Sequence, residues 1–254
     1  CLESEVIRQP RKKDLMIREE HLEILVLSPG KQALVRYIRS AWHEIQKKDV
    51  ILSTNKSRKK KNEWERSIQY WMKNCAEHIN NVSVVNQSSI AFLIIYGEVC
   101  GLFAGDAACS EMIRAGKEYL ARKQMKQDYL ILDFIKLPHH GSSHNVNEEF
   151  FRFFRTKTYF ITTEGSAKNR HPGKITLAFI ASALEKNETA HIYSSYSWWK
   201  TNRDFCRSEK YEGKWREDGN LCILEDMEGN RKYLHFHKAD TIPFYIHREL
   251  SVRR

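Results

Sequence analysis

Apolar and polar positions along the chain follow two periods. Leu22 to Leu27 (LEILVL) is a short apolar run closed by Ser28-Pro29-Gly30, which predicts a strand ending in a turn. From Gln32 to Lys48, apolar residues return at three- and four-residue spacings through Leu34, Val35, Ile38, Ala41, Trp42 and Ile45, which predicts an amphipathic helix. Trp64 to Ile79 repeats that pattern through Ile68, Trp71, Met72 and Cys75. Ser89 to Gly97 and Val99 to Ala104 then form two apolar runs joined across Tyr96-Gly97-Glu98, the pattern of a β-hairpin ending at Gly105-Asp106.

The remainder alternates. A helix is expected over Glu111–Lys126, a buried strand over Tyr129–Leu137 that stops at Pro138, and a helix over Asn147–Phe154. Next come a strand over Thr158–Thr163, a loop from Gly165 to Gly173 and a helix over Lys174–Glu185. Strands at Ala190–Ser194, Gly219–Asp226 and Arg231–Phe236 close the chain, the last two joined at Glu228-Gly229-Asn230. Strand, turn and helix in this order from 89 to 194 predict a layered α/β architecture. The organisation expected is an arm over 1–21, a domain over 22–238 interrupted by a basic loop at 53–62, and a tail over 239–254.

Composition narrows this picture. Of 254 residues, 41% are hydrophobic and 11% aromatic, enough for a core and too much for a disordered chain. No window holds the roughly 18 apolar residues a spanning helix needs, and the first residues lack the apolar stretch of a signal peptide. The sequence does not begin with Met, as expected of a processed chain or an excerpt. Its six cysteines form no CxxC pair, which argues against a zinc knuckle and for scattered reduced thiols in the cytoplasm. The net charge of +10 and the run Arg58-Lys59-Lys60-Lys61 favour a polyanion such as DNA or RNA, with a solvated loop as the plain alternative for the run. Trp64, Trp71, Trp198 and Trp199 are candidates either for stacking on bases or for the core.

The sharpest chemistry lies at two strand endings, LFAGDA through Asp106 and IKLPHHGSSH through His139 and His140. Adjacent strands ending in this way would bring a carboxylate and an imidazole to one rim of a sheet, a donor set suited to a divalent transition metal. Capping of the next helix is the alternative role for Asp106.

These motifs, in the order Asn86-Gln87-Ser88-Ser89, LFAGDA, IKLPHHGSSHN and ITTEGSAKNRHP, resemble the metallo-β-lactamase-fold hydrolase domain of ComEC-type competence proteins. The resemblance spans about residues 22 to 236 and implies an αββα-type sandwich, of which this chain is the C-terminal portion. It implies that Asp106 bridges two divalent ions, Zn²⁺ or Mn²⁺, and that His140, or else His139, is the late histidine ligand. It also places Asn86 and Ser88 beside the metals and gives His171 a catalytic contact to a phosphate or leaving group; the substrate contacts expected are Asn86, Ser88, Ser142 and Asn169, with Lys59 and Lys60 added by the charge of the basic run. An ordinary loop histidine is the other reading of His171, and Arg170 stands where the family has glycine.

One departure matters. Such enzymes draw most metal ligands from an H-x-H-x-D-H motif, and this chain has none. His235 and His237 are spaced H-x-H, but in the last strand and without the right continuation; alternation puts both on one face, and a solvated edge accounts for them. The expected activity is therefore two-metal hydrolysis of nucleic acid by a nuclease or phosphodiesterase, inactive until an N-terminal half or companion polypeptide supplies the missing ligands. The alternative is a non-catalytic subunit of a larger assembly. A half sandwich would also expose an apolar sheet face, which usually marks an interface.

Overall fold

A computed structural model describes residues 16–19, 21–46, 63–74, 78, 80–165, 171–201, 214–215 and 219–239. The basic loop 53–62 and nearly all of the arm and the tail lie outside them.

The chain opens with β1 (Met16–Glu19) and β2 (Leu22–Ser28), then α1 (Lys31–Gln46), α2 (Ile68–Asn74) and a single turn, α3 (Val84–Gln87). The hairpin β3 (Ala91–Tyr96) and β4 (Val99–Phe103) leads into α4 (Cys109–Arg122), β5 (Leu130–Ile131) and β6 (Phe134–Lys136). After α5 (Glu148–Phe153), β7 (Phe154–Arg155) and β8 (Thr158–Phe160) comes α6 (Lys174–Ser182). The chain continues through β9 (Thr189–Ser194), α7 (Trp198–Thr201) and β10 (Lys214–Trp215) to the hairpin β11 (Leu221–Glu225) and β12 (Arg231–Lys238).

Ten strands form one mixed sheet in the order β1-β2-β3-β4-β6-β8-β9-β12-β11-β10, while β5 and β7 pair separately. The middle run from β4 to β12 is parallel, and the flanking pairs are antiparallel. The architecture is thus mixed α/β. The described residues hold one large sheet and the small β5–β7 pair, and not the two facing sheets that an αββα sandwich requires.

Alternation along the strands sorts the two faces. Leu93, Leu102, Ile135, Tyr159, Ile192, Leu234 and Phe236 are buried on one face, where α4 lies along β2, α6 along β12 and α2 along β11. Residues 174–181 of α6 are all buried, so this helix runs through the core rather than over it. Each fully buried large apolar side chain there contributes about 1.5–3 kcal/mol. Trp198 and Trp199 pack edge to face on each other and against Phe236, and Trp64 and Trp71 are buried as well. All four tryptophans belong to the core, so none is presented for base stacking.

The opposite face carries a chain of rings. Phe92, Phe103, Phe134, Phe160, Tyr193 and His237 touch in sequence across six strands, with centroid separations of 5.3, 5.5, 5.7, 5.5 and 4.6 Å. Phe103 is 37% exposed. Gly101 makes room for this row, because a Cβ there would sit 2.1 Å from the Phe134 ring.

Two expectations are corrected, and a third element, the expected helix α1, differs in what covers it. The strand predicted over Tyr129–Leu137 breaks at Leu132-Asp133, where the Asp133 carboxylate accepts from the Cys100 amide at 2.7 Å and the Asp133 amide donates to the Cys100 carbonyl. The helix predicted over Trp64–Ile79 is a short 3₁₀ turn followed by α2, because Ser67 Oγ accepts from the Tyr70 amide and starts a new helix. The apolar stripe of α1 is not in the core: Leu34, Val35, Ile38 and Trp42 are exposed, and Ala33 is the residue buried at its start.

Candidate functional site

The two strand endings singled out in the sequence meet at the C-terminal rim of β4 and β6, which pair in parallel with Leu102 beside Ile135. The His139 amide donates to the Gly105 carbonyl at 2.8 Å and ties the two loops together. Gly105 is required there, since its φ is +51° and a Cβ would meet the Ile90 carbonyl oxygen at 2.3 Å. Asp106 does not cap α4. The N-cap is Ala108, so the carboxylate is left to the rim.

His139 and His140 both sit in the left-handed region, with φ of 44° and 56°. Two consecutive non-glycine residues in that region carry strain that surrounding contacts must hold, a pattern concentrated at functional sites. Nδ1 of His140 meets the Thr162 carbonyl, which can only accept, so Nδ1 donates there and Nε2 is the ring nitrogen left to bind a metal. That is the arrangement of a ligating imidazole oriented by a second hydrogen bond. Nδ1 of His139 lies between the side-chain amides of Asn86, at 3.2 Å, and Asn145, at 3.1 Å.

His171 joins the group, with its ring centroid 5.2 Å from that of His139 and 6.3 Å from that of His140. Burial, reinforced by the imidazoles of His139, His140 and His144, pushes His171 down to about 4, with Asp106 pulling the other way. Lys136, at the end of β6, is lowered from the usual lysine value by burial, with Asp106 opposing the shift.

The other predicted contacts divide. Asn86 reaches the site through His139. Ser88 does not, because its hydroxyl donates to the Val85 carbonyl and closes α3. Ser142 is 2% exposed beneath the turn, so its side chain is not presented to a substrate. Asn169, Lys59 and Lys60 lie outside the described residues.

Sequence reasoning missed Asn145 and Thr162. Asn145 is buried, and its amide nitrogen donates to the carbonyls of Asp106 at 2.8 Å and Ala107 at 3.3 Å, linking one loop to the other. The signal was its place in the HHGSSHN string, six residues after His139.

The rim residues fit part of a metal set, one carboxylate and one prepared imidazole. They do not bring three ligand atoms together. Among the described residues the one group that does is elsewhere: His191, His235 and His237, whose ligand atoms all lie within 4.8 Å of one another. His235 and His237 were expected on a solvated edge. Instead β12 is an interior strand, with β9 on one side and β11 on the other. Burial and the neighbouring His235 and His191 push His237 down to about 4, and burial with His235 lowers His191, so these imidazoles are neutral at pH 7.

No helix among the described residues is long and apolar enough to cross a membrane. Comparison with protein-family models, with curated proteins and with solved structures finds no match to this chain.

Proposed function

We propose that this chain is part of a metal-dependent hydrolase of the metallo-β-lactamase type, a nuclease or phosphodiesterase whose metal set is completed by a segment carrying H-x-H-x-D-H. The observation that carries this reading is the strained turn at the rim, where His140 has its Nδ1 committed to the Thr162 carbonyl and its Nε2 left to ligate. Asp106, released from helix capping, adds a carboxylate at the same rim. Two divalent ions seated there, Zn²⁺ or Mn²⁺, would supply Lewis acidity toward a phosphodiester. His171, neutral at pH 7, offers an acceptor nitrogen next to both histidines.

Further features support it. The charge of +10 suits a nucleic-acid substrate. The aromatic row on the sheet face opposite α2, α4 and α6 and the exposed apolar stripe of α1 suit a companion layer. The free thiols of Cys100 and Cys109 fit a reducing compartment such as the cytoplasm.

A second reading is a non-catalytic binding subunit. It is favoured by one observation, that the rim does not itself gather three ligand atoms. Metal analysis of the chain reconstituted with its companion separates the two. The loss of two ions per complex in Asp106→Ala together with His140→Ala supports the hydrolase. A complex whose metal content is unchanged by that double substitution supports the binding subunit.

A further inference from the structure

On the ring-bearing face of the sheet, two and three strands along from β6, β9 and β12 run parallel with His191 directly opposite His235. His237 lies two residues further along β12 and therefore on the same face as His235. The three side chains are half-buried on a face whose alternate residues, Ala190, Ile192, Leu234 and Phe236, are fully buried on the other side. The backbone register alone makes this a convergent set: two histidines from one strand and one from its neighbour, fixed by a ladder in the middle of the sheet.

The rings are positioned as well as gathered. Nδ1 of His191 is 3.0 Å from Nε2 of His237, and the His235 and His237 ring centroids are 4.0 Å apart. Tyr193 stacks on His237 at 4.6 Å with an interplanar angle of 16° and limits the rotation of that ring. Three imidazole nitrogens around a tetrahedral zinc, each about 2.0–2.1 Å from the metal, lie about 3.3 Å from one another. The ligand atoms here are all within 4.8 Å. Closing the difference needs rotation about χ2, which is a broad, soft torsion for histidine.

We propose that His191, His235 and His237 form a binding site for one divalent transition ion of the zinc class, with the fourth coordination position left to water or an incoming group. An all-imidazole set selects zinc, copper, nickel or cobalt over magnesium and calcium, which take oxygen ligands. The site is separate from the rim: it stands on β9 and β12, while Asp106 and His140 follow β4 and β6. It holds whether or not the rim is catalytic.

The test uses the whole chain, stripped with a chelator and titrated with Zn²⁺, with Mg²⁺ as the control. Histidine modification by diethyl pyrocarbonate, read peptide by peptide by mass spectrometry, follows the site in the unsubstituted protein. The expected result is that Zn²⁺ protects His191, His235 and His237 while Mg²⁺ does not. That protection should persist in the variant carrying both Asp106→Ala and His140→Ala. Zn²⁺ affinity should fall by more than about 100-fold in His235→Ala and in His237→Asn, because each removes a ligand outright and loss of an outer-shell partner alone costs 10–100-fold. Equal modification of the three histidines with and without Zn²⁺ would overturn the proposal. So would Zn²⁺ binding that is unchanged in the His191, His235 and His237 variants.

Discussion

Nδ1 of His191 stands 3.0 Å from Nε2 of His237 across the parallel pair of β9 and β12. One of these nitrogens must donate to the other, so the pair is a hydrogen bond between neutral imidazoles on a half-buried sheet face. In metal-free protein, His237→Ala removes that bond and the Tyr193 stacking. A loss of about 1 kcal/mol is expected, measured as a lower denaturant midpoint in the presence of chelator.

Asn145 holds the rim together. Its side chain bonds to His139 and to the carbonyls of Asp106 and Ala107 from a buried position. Asn145→Ala takes this donor from the Asp106 and Ala107 carbonyls and leaves His139 to Asn86 alone, which should cost about 1–3 kcal/mol. Asn145→Asp keeps the acceptor for His139 and loses the donor to the two carbonyls, so it should destabilise too. Equilibrium unfolding of both variants at pH 7 checks this, and wild-type stability in Asn145→Ala would refute the role.

Gly105 permits the turn that delivers Asp106. With φ at +51° and the Ile90 carbonyl in the path of any Cβ, Gly105→Ala must either strain the backbone or move β3 away from the loop. The left-handed conformation alone costs about 1–3 kcal/mol for a non-glycine residue, and the contact adds to it. Thermal unfolding of the variant should show a clear drop in Tm, and one matching the wild type would contradict this geometry.

Cys100 and Cys109 supply a pH dependence. Burial, with Asp133 adding to it, pushes the Cys100 thiol up to about 12, and burial pushes Cys109 up to about 11. The folded chain therefore keeps these protons more tightly than the unfolded chain, whose thiols titrate near 9.0. Their contribution to stability is complete below pH 9 and is lost as the pH rises toward 11 and 12. Two readouts follow: slow alkylation of both thiols at pH 8.5 in the native protein against fast alkylation in denaturant, and a falling unfolding free energy above pH 9.

The stripe on α1 predicts a contrast. Ile38 and Trp42 are 62% and 59% exposed, whereas Leu93 is fully buried. Ile38→Ser and Trp42→Ser should change the stability of the chain by no more than about 0.5 kcal/mol, while Leu93→Ala should cost about 2–5 kcal/mol. Comparable losses at the three positions would show that the stripe is covered.

Local signals were legible in the sequence. Turn residues and two-residue alternation placed both hairpins, β3–β4 and β11–β12, and the apolar density of residues 174–182 placed α6. The strand endings that carry Asp106, His139 and His140 were readable because each follows an apolar run and stops at glycine or proline. What was not legible depends on contacts between distant segments. Periodicity gives α1 an apolar face but not what covers it. The break at Asp133 needs the Cys100 amide, which lies on another strand. The H-x-H of β12 reads as a solvated edge until β9, more than forty residues earlier, is placed beside it in parallel register. Asn145 looked like one polar loop residue among several, because its partners belong to the loop after β4.

The central claim is that Asp106 and His140 form the rim half of a hydrolytic metal site. The most direct measurement is cleavage of labelled single-stranded and duplex DNA and of RNA by the chain joined to its companion segment, with Mn²⁺ or Zn²⁺ present. The comparison is between wild type, Asp106→Ala and His140→Ala. The account predicts metal-dependent cleavage of at least one substrate by the wild type, and its loss in both variants while their folding is retained. Undiminished cleavage in Asp106→Ala would contradict it.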